Sequence, residues 1–305
     1  MTKNFWRRCW DARYIYLLML PGLIFLTIFS YGPMYGLQLA FRQFNVRLGV
    51  SGSPWVGLAH FQFMFANPEF FNAVSNTIFI SLGRIIFEFP FPIILAVFLS
   101  ELRMRRYSRV LQTIYTFPFF LSWVIVGAIV INFLDSQGPV NAIILRLTGD
   151  RVPFLGSQAL FRPLLYGTQI WRDAGWNTII YLAAISGINP ELYEAASLDG
   201  AGRFQRIRHI TVPSILPVIS LLFILALGGI MAGGFDQIFN LINPVVRPVG
   251  ETLPIYIFRI TFDRPPDFGF STAVGMFAAV VNLIMLVIAD RVVRWLSGHG
   301  LFSSK

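Results

Sequence analysis

Residues 194–213 read EAASLDGAGRFQRIRHITVP, a polar and charged segment set between two long apolar stretches. A chain that interrupts its apolar stretches this way is presenting an ordered surface to water. Asn189 is placed to cap a helix, Pro190 suits its first turn, and Glu191 and Glu194 complement the positive end of the helix dipole. Ala195, Ala196 and Leu198 give that helix a small, close-packing face. After Asp199, Gly200 is free to turn left-handed and end it. Arg203, Arg206 and His209 fall on one polar side of a second turn, and Pro213 opens the next apolar stretch. Residues 189–211 are therefore expected to form a compact helix–turn–helix, not a plain connecting loop.

The 305-residue chain as a whole is 55% hydrophobic and 13% charged, with 31 Phe, more apolar surface than a soluble domain of this size can hide. Hydropathy predicts an all-α membrane protein with about six spans, near 14–37, 72–100, 110–134, 164–188, 212–235 and 268–290. No internal repeat and no low-complexity linker divides it, so 1–305 reads as one transmembrane domain. The first apolar stretch follows Arg7 and Arg8 but is too long for a signal peptide core, and it is read as a retained span.

The net charge of +9 would suggest nucleic acid in a soluble protein, but its placement orients a membrane protein instead. Fourteen Lys and Arg fall on one side: Lys3, Arg7, Arg8 and Arg13; four in 101–109; Arg203, Arg206 and Arg208; and three after Asp290. Eight fall on the other, spread over longer loops (Arg42, Arg47, Arg146, Arg151, Arg162, Arg247, Arg259, Arg264), while Arg84 and Arg172 lie within spans. The positive-inside rule then puts both termini, the 1–13 segment and the 189–211 loop in the cytoplasm. Nucleic acid is not expected as a partner; lipid is.

Several chemistries are excluded. Lys3 and Lys305 are the only lysines, so no phosphate-binding P-loop exists and this chain does not itself hydrolyse ATP by that route. Cys9 stands alone, and His60, His209 and His299 form no metal-ligand pair, so neither a disulfide nor a metal site is expected. No nucleophile elbow appears, and the expectation is a protein that is not an enzyme.

Polar residues inside spans are the candidates for a pathway. Gln169, Asp173 and Asn177 recur at four-residue spacing with Tyr181 next in line and Arg172 and Trp176 beside them, one stripe of a helix. That stripe faces either a hydrogen-bonded helix interface or a substrate-lining cavity. Arg84 and Glu88 read as an i, i+4 pair that neutralises itself. Gly229 and Gly233 have the spacing that lets a neighbouring helix approach. Asp236, Gln237 and Asn240 follow, where they either line an entrance or are solvated loop residues. The segment 52–58 and the aromatic run Phe61–Phe65 suit a membrane interface.

The spacing from Glu194, Ala195 and Ala196 through Gly200 to Ile210 and Pro213 resembles the EAA loop of permease subunits of bacterial ABC importers, with Val212 where that family commonly has Leu. The stretches 52–58 (GSPWVGL), 120–124 (FLSWV) and 173–217 resemble its carbohydrate-type members, nearest to the subgroup importing poly- and oligosaccharides, alginate-like oligouronides included. The resemblance implies the type I importer permease fold with a cytoplasmic coupling helix in the bacterial inner membrane. It implies a second permease subunit, two cytoplasmic ATP-binding cassette subunits carrying ATP and Mg, an extracytoplasmic solute-binding protein and a saccharide substrate. It assigns ATPase coupling to Glu194, Ala195, Ala196, Leu198, Asp199, Gly200, Ile210 and Pro213. On the residues alone, an ion-coupled secondary transporter using Glu88, Asp173 or Asp236 is the rival; its mark, two halves with matching broken helices, is not seen. If Arg172 faces the cavity, it is the basic residue of the polar span placed to compensate an acidic sugar.

Overall fold

The computed structural model describes residues 10–102, 105–262 and 265–297. Cys9, His299 and most of the 1–13 segment lie outside them. Among the described residues the chain is helical throughout, with one isolated bridge, Arg42 to Trp55, and no strand. The longer helices are α1 (Arg13–Leu26), α2 (Ala59–Ala66), α3 (Pro68–Phe87), α4 (Pro90–Ser100), α5 (Arg105–Thr116), α6 (Trp123–Leu134) and α7 (Pro139–Thr148). They continue as α8 (Gln158–Ser186), α9 (Pro190–Leu198), α10 (Arg203–Arg206), α11 (Val212–Gly228), α12 (Phe235–Leu241), α13 (Leu253–Phe262) and α14 (Phe268–Ser297).

Among the described residues, five helical stretches are long and apolar enough to cross a membrane: Arg13–Phe41, Pro68–Ser100, Trp123–Thr148, Arg203–Gly228 and Phe268–Trp295. The other predicted span, 164–188, falls in α8. Its 29 residues extend about 43 Å at 1.5 Å per residue, but it is not among the apolar set, in keeping with its polar residues Gln169, Arg172, Asp173 and Asn177.

Prolines and glycines break what hydropathy reads as continuous. Pro90 lacks an N–H, so the second span divides into α3 and α4, and the Arg84 carbonyl accepts from both Glu88 (2.8 Å) and Phe89 (3.0 Å). The predicted span 110–134 divides at Phe117–Phe120, a 3₁₀ turn containing Pro118. The predicted span 212–235 starts earlier and ends earlier: a helical path runs from Arg203 to Gly228. Pro213 stands in the first turn of α11, as expected, and a π-helical turn at Ile207–Thr211 joins that helix to α10 before it. Gly229 does not present a helix-packing face either. The helix ends at Gly228, and Gly233 and Gly234 take φ of 59° and 68°.

The contacts define two compact units, Met1–Ala66 with Ile260–Met276, and Asn67–Arg259 with Phe277–Lys305. In the first, the ring of Phe41 stacks on Trp55 at 5.5 Å, Arg42 lies over the same indole, and Phe63 meets Phe270 edge-on at 5.0 Å. The second is built around α8. Its core joins Ile80 of α3, Val126 and Val130 of α6, Phe161 and Leu165 of α8, and Ile238 and Leu241 of α12. Small residues bring helices together where side chains would not fit. A Cβ on Gly175 of α8 would collide with the Tyr115 carbonyl of α5, and one on Gly83 of α3 with the Tyr166 ring of α8.

Candidate functional site

Two places combine polar chemistry with an accessible shape. The first is the element after α8. Asn189 takes an extended conformation and its side chain accepts from the Glu191 N–H at 3.1 Å, with Pro190 in the first turn, so α9 starts as its sequence dictates. It ends in a left-handed turn. Gly200 has φ +78°, its N–H donates to the Ser197 carbonyl (3.2 Å), and the Ala201 N–H donates to the Ala196 carbonyl (2.8 Å), the paired bonds of a Schellman motif. The Gln205 side chain then reaches back to the Gly202 N–H at 2.7 Å and caps α10.

Side chains lock the two helices into one body. The Tyr193 and Thr211 hydroxyls lie 2.9 Å apart, and Arg206 donates to Ser197 Oγ at 2.8 Å, which donates to the Tyr193 carbonyl at 2.6 Å. The outcome is a rigid crook around a cavity of about 330 Å³, bordered by Ala196, Asp199, Gly200, Arg206, His209 and Ile210. Glu194 and Ala195 are exposed beside it, and Pro213 lies inside the helical path that follows. Large apolar side chains point away from the body: Leu198 is 90% exposed and Phe204 74%. Among the described residues, none covers these two side chains.

The second place is a cavity of about 340 Å³ between α3, α4, α8, α11 and the Gly229–Gly234 turn. Its polar lining is Ser81, Arg84, Glu88, Asn177 and Tyr181, against an apolar wall including Ile85, Phe89, Ile180 and Leu222. Of the stripe on α8, Asn177 and Tyr181 border this cavity. The rest of the stripe is tied into the protein. Gln169 donates to Asp173, and Arg172 pairs with Asp173 at 2.6 Å. Arg172 also donates to the carbonyls of Leu121 (3.0 Å) and Phe119 (3.3 Å) and lies over the rings of Trp123 and Phe119. It holds the proline-broken turn between α5 and α6 and does not border the cavity. Asp236 is exposed at the start of α12. Gln237 is 1% exposed and donates to the Leu165 carbonyl (2.7 Å) and Thr168 Oγ1 (2.8 Å), which makes it a strut between α12 and α8.

The pairing expected of Arg84 and Glu88 is only partial. Their closest approach is 3.6 Å, longer than a hydrogen bond, and Arg84 instead donates across to Gln237 Oε1 at 2.5 Å. Arg84 Nε and Glu88 Oε1 are buried with no hydrogen-bond partner among the described residues. Two charges flanking a helix break before Pro90 were the signal for this site in the sequence, and i, i+4 spacing alone pointed away from it.

Residues 88–298 match the family described as the binding-protein-dependent transport system inner membrane component. The chain is 40% identical over 293 residues to the polygalacturonan/rhamnogalacturonan transport system permease protein YteP of Bacillus subtilis (strain 168), covering 96% of this chain and 91% of that one. Protein LplB of the same organism is 38% identical over 291 residues, covering 95% and 91%. Among solved structures, a bacterial ABC transporter involved in the import of the acidic polysaccharide alginate contains a chain with a TM-score of 0.88 and 38% identity, covering 96% of this chain and 99% of that one. The alginate transporter in complex with an alginate pentasaccharide-bound periplasmic protein gives 0.88 and 37%, covering 97% and 99%. A helical membrane chain with a rigid capped element of the EAA pattern, matched over most of its length, thus belongs to the family of inner membrane components of binding-protein-dependent transport systems.

Proposed function

We propose that this chain is one of two permease subunits of an ATP-driven importer, and that the pair form the inner-membrane pathway for an acidic oligo- or polysaccharide delivered by an extracytoplasmic solute-binding protein. The α9–α10 element carries the coupling part of this reading. Its cap, its left-handed Gly200 and the Tyr193–Thr211 clamp make it a body that moves as one piece, while Leu198 and Phe204 project as knobs. Two cytoplasmic ATP-binding cassette subunits, holding ATP and Mg, take those knobs. Their closure on ATP moves the element, and the continuous helix from Arg203 to Gly228 carries the motion into the membrane. Both termini and this element face the cytoplasm, as the arginine distribution requires. This chain does no covalent chemistry; it alternates access to a cavity.

The acidic saccharide as cargo is supported by the relatives, one named for polygalacturonan and rhamnogalacturonan and one for alginate. Reconstitution of the chain with its partner subunits in liposomes tests the reading. ATP-dependent uptake of an oligouronide that requires the loaded solute-binding protein is the expected result. Uptake that runs on a proton or sodium gradient without ATP would overturn it.

A further inference from the structure

The charged pair in the 340 Å³ cavity is held ready and left with unspent bonding capacity. The Arg84 guanidinium lies against Gly234, in the space a Cβ there would enter, and the φ of 68° at Gly234 calls for glycine in its own right. From behind, Gln237 accepts from Arg84 Nη2 and is itself anchored on Leu165 and Thr168 of α8. Three elements therefore immobilise one guanidinium. A guanidinium carries five N–H donors in a planar fork suited to carboxylates. Here Nε is ion-paired with Glu88 Oε1 at 3.6 Å, too long for a hydrogen bond, and neither buried atom has a hydrogen-bond partner among the described residues. A desolvated charge with open donors is costly unless a matching group meets it.

We propose that Arg84 reads the carboxylates of an acidic saccharide as it passes, and that Glu88 is the internal anion Arg84 exchanges for them. The proposal rests on the saccharide-permease reading above and names the charged residues that give it its cargo class. As a uronate enters, its carboxylate meets the guanidinium of Arg84 where it borders the cavity and competes with Glu88 for it. Glu88, one helical turn away, repels the same carboxylate and keeps the site shallow. Passage needs binding strong enough to admit the cargo and weak enough to release it. A neutral sugar offers Arg84 hydroxyl oxygens alone, without the charge and paired geometry of a carboxylate. Asn177 and Tyr181 on the facing wall supply hydroxyl and amide partners for the ring.

The test uses the full complex in liposomes, with its solute-binding protein loaded with an oligogalacturonide or an alginate oligosaccharide. Arg84→Gln is expected to lower oligouronide uptake roughly tenfold or more, the value of a charge-assisted hydrogen bond, while stimulation of ATP hydrolysis by the loaded binding protein stays near wild type. Arg84→Lys keeps the charge without the fork and should recover part of the uptake. Glu88→Gln should lower the oligouronide concentration at half-maximal uptake and lower the maximal rate. Unchanged uptake in Arg84→Gln overturns the proposal. So does a parallel loss of stimulation and uptake that Arg84→Lys does not repair, because that pattern belongs to a structural residue. An unaltered half-saturation in Glu88→Gln overturns the exchange. A wild-type complex with neither stimulated hydrolysis nor uptake overturns the permease reading and this proposal together, before any substitution is made.

Discussion

The hydroxyls of Tyr193 and Thr211 meet at 2.9 Å across eighteen residues of sequence and tie the short helix α9 to the helical path that enters the membrane. Thr211 is buried, and Tyr193 is its hydrogen-bond partner on α9. A displacement of α9 is therefore passed to the span through a direct bond as well as through the backbone.

Tyr193→Phe removes that bond and leaves the ring in place. The cost to stability is expected to be small, about 0.5–1.5 kcal/mol. Stimulation of ATP hydrolysis by the loaded binding protein should fall several-fold relative to the basal rate in an assembled complex. Coupling equal to wild type would show that the clamp is dispensable.

Gly200→Val acts through the backbone alone, since a Cβ there meets nothing within 4 Å. The left-handed conformation costs a branched residue about 1–2 kcal/mol or more, enough to misplace the turn. Gly200→Asn, which tolerates that conformation better, should retain more function. Assembly measured by co-purification is expected to persist in both, with stimulated hydrolysis falling in the order Gly, Asn, Val.

Arg172→Gln separates the two roles the sequence left open for this residue. Its donors are engaged by Asp173 and by the carbonyls of Phe119 and Leu121, so the loss should appear as lower thermal stability of the purified complex. Each hydrogen bond made by a charged group contributes about 1.5–3 kcal/mol. Uptake of acidic and neutral oligosaccharides should drop to the same degree. A selective loss of the acidic cargo would place Arg172 on the pathway.

Gly175→Ala puts a methyl group into the Tyr115 carbonyl, a backbone atom that cannot swing aside. The α5–α8 contact must separate, and the expected result is a sharp drop in the amount of folded protein recovered from membranes. Normal yield and thermal stability would mean that this crossing is not tight.

Membrane orientation is open to direct labelling. With Cys9 replaced, a cysteine beside Arg206 should react with an impermeant maleimide only from the cytoplasmic side, and one beside Asp150 only from outside. The reverse pattern at either position would invert the proposed topology.

Local features were legible in the sequence because their causes are local. The Asn189 cap, the Pro190 start and the left-handed Gly200 follow from the backbone geometry of adjacent residues, and each stands where it was expected. Hydropathy found the apolar segments for the same reason, and the EAA spacing found the family. Helix breaks were harder. Pro90, Pro118 and Gly229–Gly234 sit in apolar runs that a composition window treats as continuous, and the π-helical turn at Ile207–Thr211 left no mark in the sequence.

Only the tertiary structure decided which polar residues meet. Arg84 and Gln237 are 153 residues apart, and their bond exists because α3 and α12 are both packed on α8. The spacing of Arg84 and Glu88 pointed to an ion pair, which forms at 3.6 Å, while the hydrogen bond of Arg84 goes to Gln237 instead. Arg172 and Gln237 looked like pathway residues by position in their helices and became struts, because the carbonyls freed at a break in α5–α6 and the floor of α8 lay within their reach. Periodicity says which face of a helix is polar. What that face meets is set by packing between distant segments, which is a property of the whole chain.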